Sequence, residues 1–183
     1  AKTPLNSLTA ERPVLKHEVV AIAPTAKASA APAGMLRIPG GAFDFQVSGI
    51  MIEGYNEIGV DVQFAWENSP RRHHAKTLTM PSFYIDKYPV TNAAFKKFVD
   101  AANYHPADDH NFLKDWKNGT YPSGWENKPV TWVSIEDARA YAAWAGKRLP
   151  REQEWQYAAQ GTDGRLYPWG NTWDRTKANY ADD

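Results

Sequence analysis

Apolar and polar positions recur with two different periods along this chain, and the changes of period mark its elements. Met35 to Ile38 is a short apolar stretch closed by Pro39-Gly40-Gly41. Ala42 to Val47 reads AFDFQV and puts Phe43, Phe45 and Val47 on one face. That is strand spacing, because successive strand side chains point to opposite faces. Thr77 to Met80 and Ser82 to Asp86 are predicted as further strand pieces leading into Tyr88-Pro89-Val90, and Leu15 to Ile22 as one short strand. Ser48 to His74 shows no clear period and ends in the polar loop Ser69-Pro70-Arg71-Arg72-His73-His74.

From Thr91 the period becomes helical. Thr91 precedes NAAFKKFVDAAN, and a threonine there accepts from the free N–H groups of the first turn. Phe95, Phe98, Val99 and Ala102 fall at i, i+3, i+4 and i+7, which makes one apolar face. Tyr104 to Lys128 reads as an aromatic-rich loop punctuated by Pro106, Gly119, Pro122 and Gly124. Pro129 to Val133 (PVTWV) is predicted as a strand. Ser134 and Asp137 then form a capping box for a second helix, with the stripe Ala138, Tyr141, Ala142, Ala145 and a left-handed stop at Gly146. A third helix is predicted from Pro150 through Glu154, Trp155, Ala158 and Ala159, stopping at Gly161. The segment from Thr162 is turn-rich.

Helices and short strands mix here without βαβ regularity, and no glycine-rich loop follows a strand, so nucleotide folds are not expected. The class is α+β with much irregular structure. Residues 1–34 hold no aromatic residue and include AIAPTAKASAAPAG, an Ala/Pro-rich tail or linker ahead of a domain over 35–183. No internal repeat is visible in that domain.

Composition narrows the function classes. Lys plus Arg and Asp plus Glu each total 21, so the net charge is zero, which argues against nucleic acid as a partner. No apolar run reaches a membrane span of about 18 residues. There is no cysteine among the 183 residues, so disulfides, thiolate metal ligands and thiol nucleophiles are excluded within them. A chain that starts at Ala1 reads as a processed protein or a piece of a longer one. Its Ala/Pro-rich tether points to an exported or periplasmic bacterial protein.

Several candidate chemistries have plainer readings. His73 and His74 are adjacent on a loop and read as solvated. His105 and His110 flank Asp108-Asp109, a donor set that suits zinc or iron, in a polar loop with no visible supporting partner. Trp144, Trp155 and Trp169 read as core, and Trp116 and Trp125 as the exposed pair able to line a groove. Asn118-Gly119-Thr120 is a glycosylation sequon, relevant only in a eukaryotic secretory context. Lys147 and Arg148 follow the end of the second helix, where cations stabilise the dipole, and Arg148 reads as structural.

Taken in order, several stretches carry a family resemblance. They are Met35-Leu-Arg-Ile-Pro-Gly-Gly-Ala-Phe43, Phe83-Tyr-Ile-Asp-Lys-Tyr-Pro-Val-Thr-Asn92 running into Phe98-Val99, and Pro129-Val-Thr-Trp-Val-Ser134. Asp137-Ala-Arg-Ala-Tyr141, Trp144-Ala-Gly-Lys-Arg-Leu-Pro150, Glu154-Trp155 and Tyr167-Pro-Trp-Gly-Asn171 follow. Together they resemble the formylglycine-generating enzyme family, or sulfatase-modifying-factor domain, which also includes the C-terminal domain of ergothioneine-pathway sulfoxide synthases. The resemblance implies the formylglycine-generating-enzyme variant of the C-type-lectin-like fold, with little regular secondary structure.

It also implies an oxygen-using oxidase that converts a sulfatase cysteine to formylglycine, with copper held by two cysteines in the C-terminal part of the domain. Neither those cysteines nor segments similar to GNVWEW and RGGSW occur here, so the chain is expected to cover roughly the N-terminal half. No catalytic residue is then expected within it. The implied substrate is a protein or small thiol, such as a sulfatase cysteine segment. The alternatives are a non-catalytic binding or scaffold module of the same fold, or a sulfoxide-synthase-like iron enzyme. The last gets no support from residues 1–34, which lack an HxxxH-type motif.

One site carries over. Relatives hold a structural calcium with an asparagine side-chain oxygen and the next backbone carbonyl, and Asn179 and Tyr180 match. The plainer reading of Asn179 is a turn cap. One position departs: relatives place threonine where this chain has Arg151, which has no acceptor for the free N–H groups of the third helix.

Overall fold

The computed structural model describes residues 21–49 and 72–179. The chain divides into two compact units, residues 1–22 with 47–73, and residues 23–46 with 74–183. The second carries almost all described residues and is the one treated below.

Seven elements follow in order: β1 (Met35–Ile38), β2 (Gly41–Gly49), β3 (Arg72–Met80), β4 (Phe83–Asp86), α1 (Asn92–Ala102), α2 (Ile135–Trp144) and α3 (Glu152–Gln160). β1 pairs antiparallel with β4, from Met35 opposite Asp86 to Ile38 opposite Phe83, and β2 pairs with β3. Two tight turns join these pairs and pack against each other. A Cβ on Gly40 would sit 2.7 Å from the Met80 carbonyl oxygen, so only glycine lets the backbones approach this closely. The expected alternation in β2 holds, with Phe43 buried and Ala42 and Asp44 exposed. Phe43, Met80 and Tyr157 form one core cluster, flanked by Ile38, Phe45, Leu78 and Phe83.

The second cluster is built on α1. Phe95 and Phe98 are 1% and 2% exposed, with their rings 5.3 Å apart and nearly edge to face. Leu113 joins them, and Tyr141 of α2 stacks on Phe95 and meets Phe98 edge-on. The N-caps are those expected. Thr91 Oγ1 accepts from the Ala94 N–H, and Ser134 Oγ from the Asp137 N–H. The Asp137 carboxylate accepts back from the Ser134 N–H and also from the Tyr104 hydroxyl, each at 2.7 Å. Burial first, and then that carboxylate, pushes the Tyr104 hydroxyl up to about 12. At the end of α2, Gly146 (φ 67°) closes a Schellman motif, with its N–H on Ala143 O and the Lys147 N–H on Ala142 O.

Between α1 and α2 the backbone is irregular, and one side chain organises it. Asn92 is 2% exposed. Its Nδ2 donates to the carbonyls of Trp125 and Lys128 at 3.0 Å and of Pro129 at 3.3 Å, and its Oδ1 accepts from Trp116 Nε1 at 2.9 Å.

Several expectations need correction. Pro129–Val133 is not a strand; it makes a single bridge, Pro129 with Thr91. Proline has no N–H to give a ladder, and Trp132 has φ 59°, which breaks the extended run. Ala102 is exposed, at the edge of the α1 face. Trp144 and Trp155 are 47% and 63% exposed, not core. Trp144 packs one side of its ring on Phe98, while the inward face of α3 is taken by Glu154 and Tyr157. Trp116 and Trp125 are half-buried, the first by its bond to Asn92 and the second under Lys128. The strand expected at Leu15–Ile22 lies outside the described residues, except that Ala21 and Ile22 are not in a strand. Among the described residues, no helix is long and apolar enough to cross a membrane.

Removing the Asn92 side chain would orphan an indole N–H and strip a donor from three carbonyls. Asn92→Ala is expected to cost about 2–4 kcal/mol in urea unfolding. Asn92→Asp, which keeps an acceptor but turns a charge on the carbonyls, should cost at least as much.

Candidate functional site

The connector after α2 carries two cations, and each is paired with a carboxylate on a neighbouring element. Lys147 Nζ reaches Asp86 Oδ1 at 2.6 Å, anchoring the helix end to the last residue of β4. Arg148 then makes a two-pronged contact with Glu154, Nη1 to Oε2 at 2.7 Å and Nη2 to Oε1 at 2.5 Å. The parallel fork fixes orientation as well as charge. Glu154 Oε2 also accepts the Arg151 N–H at 2.8 Å. This answers the missing hydroxyl at Arg151: the N-cap side chain makes no hydrogen bond, and Glu154 supplies the reverse half of a capping box. The Arg148 guanidinium holds the Glu154 carboxyl below the usual carboxylate range against the opposing effect of its burial.

Beyond α3, Gly161 (φ 70°) turns the chain, and Arg165 pairs with Asp163 while donating to the Pro168 carbonyl. Tyr167 and Gly170 exchange backbone hydrogen bonds across Pro168-Trp169. The turn stacks the Tyr167 and Trp169 rings 5.3 Å apart at 7°, with Trp173 against both. An open cleft of about 790 Å³ lies beside them, lined by Trp169, Asn171, Thr172, Trp173, Asp174, Arg175 and Lys177. Its polar groups are largely committed to local structure. Asn171 Oδ1 accepts the Leu166 N–H, and Trp169 Nε1 donates to Thr172 O. Asp174 Oδ1 accepts both the N–H and the hydroxyl of Thr176, which holds its carboxyl below the usual range.

Asn179 is exposed just past this cleft, and its matched neighbour Tyr180 lies outside the described residues. Among the described residues, no three His, Asp or Glu side chains gather as a metal site. His105, Asp108, Asp109 and His110 are all exposed, and Asp108 Oδ1 is occupied by the His110 N–H. His73 and His74 lie in β3 rather than in the polar loop expected there, and their side chains lie outside the described residues. Sequence reasoning missed the organising role of Asn92, the Tyr104–Asp137 bond and the Lys147–Asp86 pair. Each joins residues 24 or more positions apart, so none left a local signal.

The model of the Sulfatase-modifying factor enzyme 1-like domain matches residues 21–183 of this chain. The chain belongs to the sulfatase-modifying factor family. Protein YfmG of Bacillus subtilis, described as uncharacterized, is 38% identical over 160 residues, which covers 81% of this chain and 30% of YfmG. The formylglycine-generating enzyme of Streptomyces coelicolor is 33% identical over 196 residues, 84% of this chain and 58% of that one. A bovine family member named inactive C-alpha-formylglycine-generating enzyme 2 is 34% identical over 140 residues, 57% of this chain and 46% of that one. The chain thus spans less than two thirds of the length of each of these relatives. Of the expected readings, the sulfatase-modifying factor family and the α+β class with little regular structure both hold.

The Arg148–Glu154 pair gives a pH-dependent contribution to stability. A carboxyl whose folded-state pKa is lowered stabilises above its unfolded pKa, and that gain is lost as pH falls through the lowered value. Glu154→Gln is expected to lose about 2–3 kcal/mol at neutral pH. The gap to the wild type should close as acid titrates Glu154 below the usual carboxylate range, which thermal melts across an acid pH series would show.

Proposed function

We propose that this chain is the N-terminal part of a formylglycine-generating-type oxidase, one that converts a sulfatase cysteine to formylglycine with oxygen and a metal. The alignment with the Streptomyces coelicolor formylglycine-generating enzyme over 84% of this chain carries that reading. Its fold is then the family's variant of the C-type-lectin-like fold, which the mix of short strand pairs, three helices and long irregular segments supports. The domain proper runs from 35, behind an Ala/Pro-rich linker.

The residues present do not fit a copper centre. Cu(I) takes soft thiolate ligands, and this chain has no cysteine, while its three methionines are scattered at Met35, Met51 and Met80. No oxidative step is therefore assigned to them. What these residues do is build the support: Asn92, Glu154 and Asp137 fix the loops and helix starts on which a site from the rest of the domain is carried. A second reading, a non-catalytic module of the same fold, is favoured by the bovine relative whose name marks it inactive.

The donor chemistry at the C-terminal end does fit part of a calcium site. Asn179 presents an exposed amide oxygen with no hydrogen bond among the described residues, and a hard cation takes such oxygens. Asn179 and the Tyr180 carbonyl would supply two of the six to eight ligands that Ca²⁺ requires, the others coming from later in the family domain.

The oxidase reading is tested with copper and a sulfatase-derived cysteine peptide, trapping aldehyde with a hydrazide. The 183-residue chain should give none above a no-protein control, and the whole protein should give aldehyde. A whole protein without aldehyde would overturn the oxidase reading.

For calcium, calorimetry should find weak binding to the 183-residue chain and tight binding to the whole protein, weakened about tenfold or more by Asn179→Ala. Equal affinity in the whole protein and its Asn179→Ala variant would remove Asn179 from the site.

A further inference from the structure

Asn118-Gly119 is the one Asn-Gly pair in the chain. The structure places it at the tip of a two-residue hairpin, where Lys117 and Thr120 exchange backbone hydrogen bonds at 2.8 and 3.1 Å. Both tip residues lie in the left-handed region, Asn118 at φ 51° and Gly119 at φ 72°, as such a turn requires. Both are exposed, and a Cβ built on Gly119 would meet no atom within 4 Å. Neither the Asn118 side chain nor the Gly119 N–H makes a hydrogen bond among the described residues. The other described asparagines differ. Asn92 is buried with its amide fully bonded, Asn171 is tied by its oxygen, and Asn103, Asn111, Asn127 and Asn179 precede residues with large side chains, Tyr104, Phe112, Lys128 and Tyr180.

We propose that Asn118 is a site of spontaneous covalent modification, in which the Gly119 backbone nitrogen displaces the Asn118 side-chain amide. The Gly119 nitrogen attacks Cγ of Asn118, an N–Cγ bond forms, and the Cγ–Nδ2 bond breaks. The Gly119 proton leaves with the amide nitrogen as ammonia, which closes a five-membered succinimide. One water then opens the ring at either carbonyl, giving aspartate or isoaspartate. The net change is amide plus water to carboxylic acid plus ammonia, with no redox partner. Glycine favours the step because no side chain shields the attacking nitrogen and because the turn, held by one bonded pair, opens readily.

The consequence follows from what the hairpin carries. Its arms begin at Trp116 and Tyr121, whose rings meet edge to face at 5.5 Å. Trp116 is also the indole donor to Asn92 Oδ1. Isoaspartate adds a methylene to the backbone of a two-residue turn, so Lys117 and Thr120 no longer face each other in register. That shift pulls Trp116 from Asn92 and loosens the irregular segment around it. Aspartate leaves the backbone length unchanged, and it tolerates the left-handed region as asparagine does.

The test ages the folded protein at mildly alkaline pH and maps its peptides by mass spectrometry. Asn118 should gain one mass unit faster than any other asparagine, with isoaspartate as the main product. The aged protein's thermal midpoint should fall by a few degrees. Asn118→Gln should resist both changes, and Asn118→Asp should keep the wild-type midpoint. Survival of the Asn118 amide in the folded protein while other asparagines convert would overturn the site. Conversion to isoaspartate with an unchanged midpoint and unchanged tryptophan fluorescence would overturn its link to Asn92.

Discussion

The long segment between α1 and α2 has almost no regular structure, so its backbone polar groups need partners other than a ladder or a helix. Asn92 is the constraint that makes this arrangement stable. One buried amide carries two N–H hydrogens and an oxygen with two lone pairs. Here it spans three carbonyls from Trp125, Lys128 and Pro129 and one indole N–H from Trp116. Backbone bonds extend the same join, Asn92 N–H to Lys128 O and Val130 N–H to Val90 O. Because Asn92 is also the first residue of α1, these contacts fix where the Phe95–Phe98 face points. The aromatic cluster then packs on a helix whose start is held by the loop that it covers.

The helix starts show the same physics with different chemical means. Thr91 and Ser134 use hydroxyl oxygens on the free N–H groups of the first turn. Arg151 has no acceptor, and its helix start depends on Glu154 reaching back to one N–H while Arg148 holds both carboxylate oxygens. A fork of this kind does more than cap. It ties the connector after α2 to the first turn of α3, and Lys147 ties the same connector to Asp86. A lysine at position 148 could not make the planar two-point contact.

How much of this was legible in the sequence depends on how local the deciding interaction is. The β2 alternation, both hydroxyl caps and the Gly146 stop are set by residues within a few positions, and all were readable. The PVTWV stretch read as a strand because its residues favour extended backbone. What overrides them is long-range: Leu113 N–H takes the Trp132 carbonyl, Lys114 sits 4.4 Å above the Trp132 ring, and Trp132 adopts φ 59°. The tryptophans failed for a related reason. A helical stripe says which side a residue is on, not whether another element arrives to cover it, and Trp144 and Trp155 stay largely open. Arg148 finds its carboxylate only six residues on, in the first turn of α3, so that tie is short-range. Asn92, with partners up to 37 residues away, was not.

These ties bear on how the family's scaffold relates to its chemistry. Each node uses groups that need no metal and no redox change: an amide, a capped carboxylate, a guanidinium fork. The Asn92 node satisfies backbone groups that would be buried whether or not a substrate is ever oxidised. Selection for a folded domain alone is then enough to retain it. Residues that hold a redox metal answer to a different requirement, because losing them costs activity without opening the core. A chain can therefore keep the ordered motifs of this family and differ in activity from its relatives. Names such as formylglycine-generating enzyme and inactive C-alpha-formylglycine-generating enzyme 2, both borne by proteins about one-third identical to this chain, fit that separation. It follows that the motifs through Tyr167-Pro-Trp-Gly-Asn171 report on the support, and that activity must be read from the groups the support holds.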